Sequence, residues 1–371
     1  MKSELERIEV PGEDGAQERT WTVVREALAE RAPVPPTSRW PRVATVAVLL
    51  SALVAAAFSS PGRAVLSEIR EVVGVKRAQP ALFSLPAPGR LLVASDAGVW
   101  VVQQDGSKRL LGDYREASWS PFGRFVVATR ANELAALETD GDVRWTLARR
   151  GVRSPCWAGT ETDTRIAYID RTGIRVVAGD GTGDRLLVRG ARGPLAWRPG
   201  ERFVLAHATP RSVRVLDAET GRVLWQAARP AGRASRVEWS SDGRHLLVLS
   251  PLELRVYNPP GDVVDQEDPA EGGPDVAAAF RPRSSEVAVA RVHSSQSTAY
   301  VLGGRTLFNG TGIFREIAWS PDGRWLLVTW RTADQWVFVR ADGKRIRAVA
   351  SVSHQFRSRS FPRIEGWCCA R

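Results

Sequence analysis

The residues that could do chemistry are few and scattered. Gly179-Asp180-Gly181-Thr182-Gly183-Asp184 has the form of a glycine run that cradles phosphate. A phosphate loop needs a helix start behind it, so that its N–H groups converge on the anion. Here residues 174–178 and 185–188 both read as strands, which makes the run a hairpin tip. The chain has no GxSxG elbow, no HExxH, no P-loop and no EF-hand loop. Its three cysteines, Cys156, Cys368 and Cys369, contain no CxxC pair, so no zinc site is expected. If Cys368 and Cys369 lie in a strand, their side chains point to opposite faces. So sparse a count means a fold that does not depend on disulfides. His207, His245, His293 and His354 stand apart and read as surface or packing residues. Asn309-Gly310-Thr311 is a glycosylation sequon in form and a turn in character. No catalytic, cofactor-binding or metal-binding residue is therefore assigned, and no cofactor is expected.

The elements around these residues are far better defined. Trp319-Ser320-Pro321-Asp322-Gly323-Arg324 joins a short apolar strand to Trp325-Leu326-Leu327-Val328. Proline presets the first turn position, and Asp-Gly makes the corner. The pattern returns as Trp119-Ser120-Pro121-Phe122-Gly123-Arg124 and Trp239-Ser240-Ser241-Asp242-Gly243-Arg244. Trp197-Arg198-Pro199-Gly200, Phe280-Arg281-Pro282-Arg283 and Cys156-Trp157-Ala158-Gly159 are looser copies. The aromatics fall at 119, 157, 197, 239, 280 and 319, with gaps of 38, 40, 42, 41 and 39. A period near forty with several short strands per repeat predicts an all-β propeller. Trp119, Trp157, Trp197, Trp239 and Trp319, among fourteen tryptophans, should pack between blades near the axis.

The number of blades depends on the ends. Six full repeats begin at the aromatics above. Residues 91–111 supply strands without a Trp-Ser-Pro lead-in, and Phe361-Pro362-Arg363-Ile364-Glu365-Gly366-Trp367-Cys368-Cys369 is an inner strand without a blade. Pairing that tail beside Leu91-Leu92-Val93-Ala94 makes a seventh blade from both ends and removes two open edges. The rival is eight blades, with residues 81–85 as a further inner strand.

These motifs carry a resemblance. Trp-Ser-Pro-Asp-Gly-Arg followed by Leu-Leu-Val resembles the bacterial TolB-like and WD-like propeller repeat. Val215-Leu216-Asp217-Ala218-Glu219-Thr220-Gly221-Arg222-Val223-Leu224-Trp225 is similar to the repeat of quinoprotein-type propellers, and residues 137–145 are a looser copy. Only Asp217, Gly221 and Trp225 match that repeat, and the resemblance implies structural roles for all three. Propellers host many unrelated activities, so the resemblance implies architecture and not chemistry.

Residues 1–42 read as an acidic start followed by a short helical stripe, Trp21, Val24 and Leu28, within residues 20–31. Residues 43–58 are apolar but for Thr45 and Ser51, and no charge falls between Arg42 and Arg63. That window matches the roughly 30 Å hydrocarbon core at about 1.5 Å per residue. Residues 43–60 are therefore read as an uncleaved single-pass anchor. A signal peptide would need an n-region of unusual length. Residues 61–79 form a juxtamembrane helix and linker, and residues 80–371 the seven-bladed propeller. Arginines flank the span on both sides, so loop charge barely orients it. A small tail before one span and a large domain after it place the N-terminus in the cytoplasm and the propeller outside.

The net charge is +11, from 52 Lys+Arg against 41 Asp+Glu. The arginines are spread over every blade without a basic block, so nucleic acid is not the expected partner. The reading is a membrane-anchored, extracytoplasmic, non-enzymatic module for binding, sensing or scaffolding, with a protein or envelope ligand as partner. One alternative is an anti-sigma-like transmembrane regulator using residues 20–31 on a cytoplasmic partner. Another is a quinoprotein-like or hydrolytic propeller enzyme, which requires an acidic or metal site in the central channel.

Overall fold

The structure is a computed structural model that describes residues 84–160, 162–200, 203–267 and 273–369. The expected tail, anchor and juxtamembrane helix (residues 1–79) lie outside the described residues. Among the described residues no helix is long and apolar enough to cross a membrane.

Seven four-stranded antiparallel sheets make up the described part. Blade 2 runs outward from Glu116–Trp119 through Phe125–Arg130 and Glu133–Glu138 to Val143–Ala148. Blades 3 to 7 follow the same order, with inner strands Arg153–Gly159, Leu195–Trp197, Arg236–Trp239, Asp275–Phe280 and Phe314–Trp319. Consecutive inner strands neighbour one another around a closed circuit. The burial patterns explain why these sequences take these places. Second strands such as Leu246–Leu249 are apolar and buried throughout, because a blade packs on each of their faces. Rim strands such as Val143–Ala148 and Val223–Ala228 alternate exposed and half-buried residues.

Blade 1 settles the blade count. Its inner strand is Arg363–Cys368, and Arg90–Ser95, Gly98–Val102 and Lys108–Gly112 follow outward. Leu91 lies opposite Trp367, Leu92 opposite Gly366 and Val93 opposite Ile364, with Glu365 taking up a register shift. The ring thus has seven blades, closed from both ends. Leu85 packs into the blade 1 core instead of starting an eighth blade.

The repeated turn is held as its residues imply. The Ser320 hydroxyl donates to Asp322 (2.6 Å) and accepts the Trp325 N–H (2.9 Å), and Gly323 sits at φ +67°. Ser240, Asp242 and Gly243 repeat this geometry, with Gly243 at φ +67°. The matched quinoprotein-type positions are structural. Asp217 caps the N–H groups of Glu219 and Thr220, each at 2.9 Å, and Trp225 packs edge-on against Trp239.

Several expectations are corrected. Asn309-Gly310-Thr311 is rim strand, not turn, because the segment pairs with Gln296–Val301 and Asn309 lies opposite Thr298. Gly310 makes room there for the Trp330 ring, which would stand 2.5 Å from a Cβ. Cys368 and Cys369 do not point to opposite faces. Cys369 turns into the left-handed region at φ +67°, outside the strand that ends at Cys368, so strand alternation does not extend to it. Trp157 stays half-buried and stacks on Phe125 of blade 2, whereas Trp119, Trp197, Trp239 and Trp319 are buried. A four-residue helix, Val352–Gln355, precedes the closing strand, too short for a sequence period to show it.

Candidate functional site

The inner strands start on one face of the ring and end on the other. Their starts carry charge, as Glu116, Arg236, Arg315, Glu316 and Arg363 show, while Asp275 is buried and paired with Arg291. Their ends carry the buried tryptophans. The charged starts surround the axial opening, and this is the candidate site.

Three glutamates there have a shared task. Glu116 accepts the N–H of Ser154, Glu238 the N–H of Phe280 at 3.0 Å, and Glu316 the N–H of Ile364 at 2.6 Å. Each carboxylate reaches from one inner strand to the backbone of the next. Inner strands of adjacent blades share no ladder, so their N–H groups need side-chain acceptors. Burial pushes the Glu316 carboxyl above the usual range, and the Ile364 N–H opposes it. Arg363 adds a fourth tie, donating to the Arg115 carbonyl at 2.7 Å and to Glu365 at 3.1 Å.

Glu116, Ser154, Arg363 and Glu365 line an inner chamber of about 240 Å³. Burial there pushes the Glu365 carboxyl up to about 7, with Glu316 and Glu116 adding and Arg363 opposing. Above it a bowl of about 860 Å³ opens between blades 1, 2, 6 and 7. Tyr114, Arg115, Arg315, Glu316, Arg331 and Arg363 are among its walls. Arg363 borders both spaces.

The opposite face carries aromatic crevices. Phe122 stands where the other turns have Asp322 or Asp242, is 55% exposed, and forgoes the aspartate cap. Crevices of about 860 and 450 Å³ flank it, bordered by Phe125, Trp145, Trp157 and Trp197.

The residues first singled out stay dispersed. The glycine run is a turn between Gly173–Ala178 and Arg185–Arg189, as its flanks implied. Its last member does something the sequence did not announce. Asp184 accepts from Tyr168 at 2.5 Å and from Arg175 at 2.6 Å, and also from Arg149, tying blades 2 and 3. Burial pushes the Cys156 thiol up, which disfavours the reactive thiolate. Among the described residues no three of His, Cys, Asp and Glu converge as metal ligands would. The channel glutamates and mouth arginines escaped sequence reading. The signal that could have found them is a charged residue one to three positions before the repeat tryptophan, as in Glu116, Glu238 and Glu316.

No protein-family model and no curated protein matches the chain. Among solved structures it is similar in fold to a chain in the crystal structure of a mitotic checkpoint complex. The two are 15% identical, with a TM-score of 0.51 over 63% of this chain and 78% of that one. At that identity the likeness shows the propeller fold alone. Because 1418 chains of solved structures match, the likeness does not choose among activities.

Proposed function

We propose that the chain is a non-enzymatic binding module of the bacterial envelope, TolB-like in character, whose bowl at the axial opening receives a protein partner. Residues 43–60 anchor it in the membrane and the propeller stands outside the cytoplasm. Nucleic acid is not its partner. The observation that carries the binding role is the division of labour at the opening. Glu116, Glu238 and Glu316 are committed to holding the ring together, while the arginines around them face an open bowl of about 860 Å³. A propeller rim of this kind is a rigid platform for partners.

The test uses the full chain in cells, with a photo-crosslinking residue at position 315 or, on the opposite face, at position 222, and a reporter fused after Arg371. Partner adducts from position 315 alone, a membrane-bound product and a reporter active only outside the cytoplasm are expected. Adducts from position 222 alone would move the site. A reporter active only in the cytoplasm would overturn the topology.

One observation favours an enzyme as a second reading. Glu365, held near 7 in a chamber beside Glu116, has the acidity of a general acid or base. An activity abolished by Glu365→Gln at unchanged melting temperature would establish that reading.

A further inference from the structure

We infer that the partner presents an acidic segment, whose carboxylates enter the bowl and pair with Arg315, Arg331 and Arg115. This rests on the binding role proposed above and names the chemistry of the ligand.

The argument is one of satisfied and unsatisfied charge. Every carboxylate at the bowl already has an internal partner. Asp96 accepts the N–H groups of Arg359 (2.8 Å) and Ser360 (2.9 Å), which holds the segment leading into the closing strand. Asp113 pairs with Arg130 at 2.5 Å. Glu316 accepts the Ile364 N–H at 2.6 Å. On the cationic side, Arg363 is engaged with Glu365 and the Arg115 carbonyl. The guanidinium groups of Arg115, Arg315 and Arg331 have no partner among the described residues, and all three residues are exposed. The unpaired side chains left for a ligand are therefore these three guanidinium groups.

These three arginines come from two blades, 2 and 7. Arg115 precedes the inner strand of blade 2. Arg315 lies in that of blade 7, and Arg331 opens the short helix Arg331–Ala333 on the same face. A seven-bladed ring fixes their spacing, so they can grip separate side chains of one segment instead of a single ion. Guanidinium forks match carboxylates in a bidentate way. Two other polyanions fit less well. Single-stranded nucleic acid needs exposed aromatic platforms, and of the two aromatics on the bowl wall Tyr114 is 3% exposed and Phe361 is half-buried. A lipid headgroup layer meets projecting residues, whereas these charges line a hollow.

The experiment uses the full chain in nanodiscs and a fluorescent peptide of alternating glutamate and glycine. Its glutamine counterpart, oligothymidylate and phosphatidylserine vesicles are the comparison probes. Anisotropy should show salt-sensitive binding of the glutamate peptide and little of the glutamine one. Arg315→Glu and Arg331→Glu should each weaken binding about tenfold. Arg222→Glu, on the opposite face, should leave binding unchanged, and the melting temperatures of all three variants should match the parent. Equal binding of the glutamine peptide, indifference to Arg315→Glu, or tighter arginine-dependent binding of oligothymidylate or vesicles would overturn the inference. Adducts at position 315 without glutamate-peptide binding would retire the acidic ligand and keep the binding role. Absence of both would retire the two together.

Discussion

His207 is 1% exposed between blades 3 and 4, and among the described residues neither ring nitrogen has a hydrogen-bond partner. Burial, with Arg214 nearby, lowers its pKa from 6.5 to about 4. The folded protein therefore keeps the ring neutral where the unfolded chain takes up a proton. Stability from this residue is full above pH 6.5, falls as pH drops from 6.5 to 4, and is lost below, for a total of about 3 kcal/mol. Glu365 acts in the opposite sense. Its carboxyl is raised from 4.5 to about 7, so its contribution is full below pH 4.5 and is lost as pH rises to 7. The two offset each other between pH 4.5 and 6.5. Glu365→Gln should expose the His207 slope, with denaturant midpoints falling from pH 6.5 to 4.5. His207→Leu should expose the Glu365 slope, with midpoints rising over the same range. Parallel pH profiles for parent and both variants would show that neither group titrates as its surroundings require. Sequence reading puts Glu365 on the closing strand and His207 among surface or packing residues, but gives the surroundings of neither. His207 is an isolated histidine with no pattern about it, and the surroundings of Glu365 come from blades more than two hundred residues apart.

The repeated turn carries an extra function that appears only when neighbouring blades are seen together. Arg198 donates to the Gly243 carbonyl at 2.7 Å and lies over the Trp239 ring. Arg281 does the same to Gly323 at 2.8 Å and to Trp319, and Arg90 to Gly123 and Trp119. The looser copies of the repeat, Trp197-Arg198-Pro199 and Phe280-Arg281-Pro282, thus supply the arginine that clasps the following, stricter copy. Their departure from Trp-Ser-Pro-Asp-Gly, legible as irregularity, is a division of roles between alternate blades. Gly243 needs its positive φ, and a Cβ there would stand 2.7 Å from the Pro199 carbonyl oxygen. Gly243→Val should cost about 3 kcal/mol. Arg244→Ala, whose side chain is 80% exposed, should stay within about 0.5 kcal/mol. Melting curves of the two variants decide it, and equal midpoints would contradict the clasp. Strand order, turn chemistry and the buried tryptophans were all readable, because each follows from residues close in sequence. The clasps, the glutamate ties and the bowl were not, because each joins side chains from separate repeats.

At the scale of the whole ring, the closing strand is the decisive feature, and its orphan tryptophan made it readable. Arg363–Cys368 covers Leu91, Leu92 and Val93, each 0% exposed. Deleting residues 361–371 should uncover them and cost about 5 kcal/mol, a fall of roughly 10 °C in melting temperature. A deletion variant that melts with the parent would show that the tail is ornamental. The closure also fixes a schedule for the newborn chain. Arg363 follows Arg90 by 273 positions, which at ordinary synthesis rates is roughly 15 to 55 s. Through that interval the strand Arg90–Ser95 waits with one edge bare. Crowded nascent chains can donate their last strand to each other's waiting edge, so exchanged dimers are the misassembly that this closure predicts.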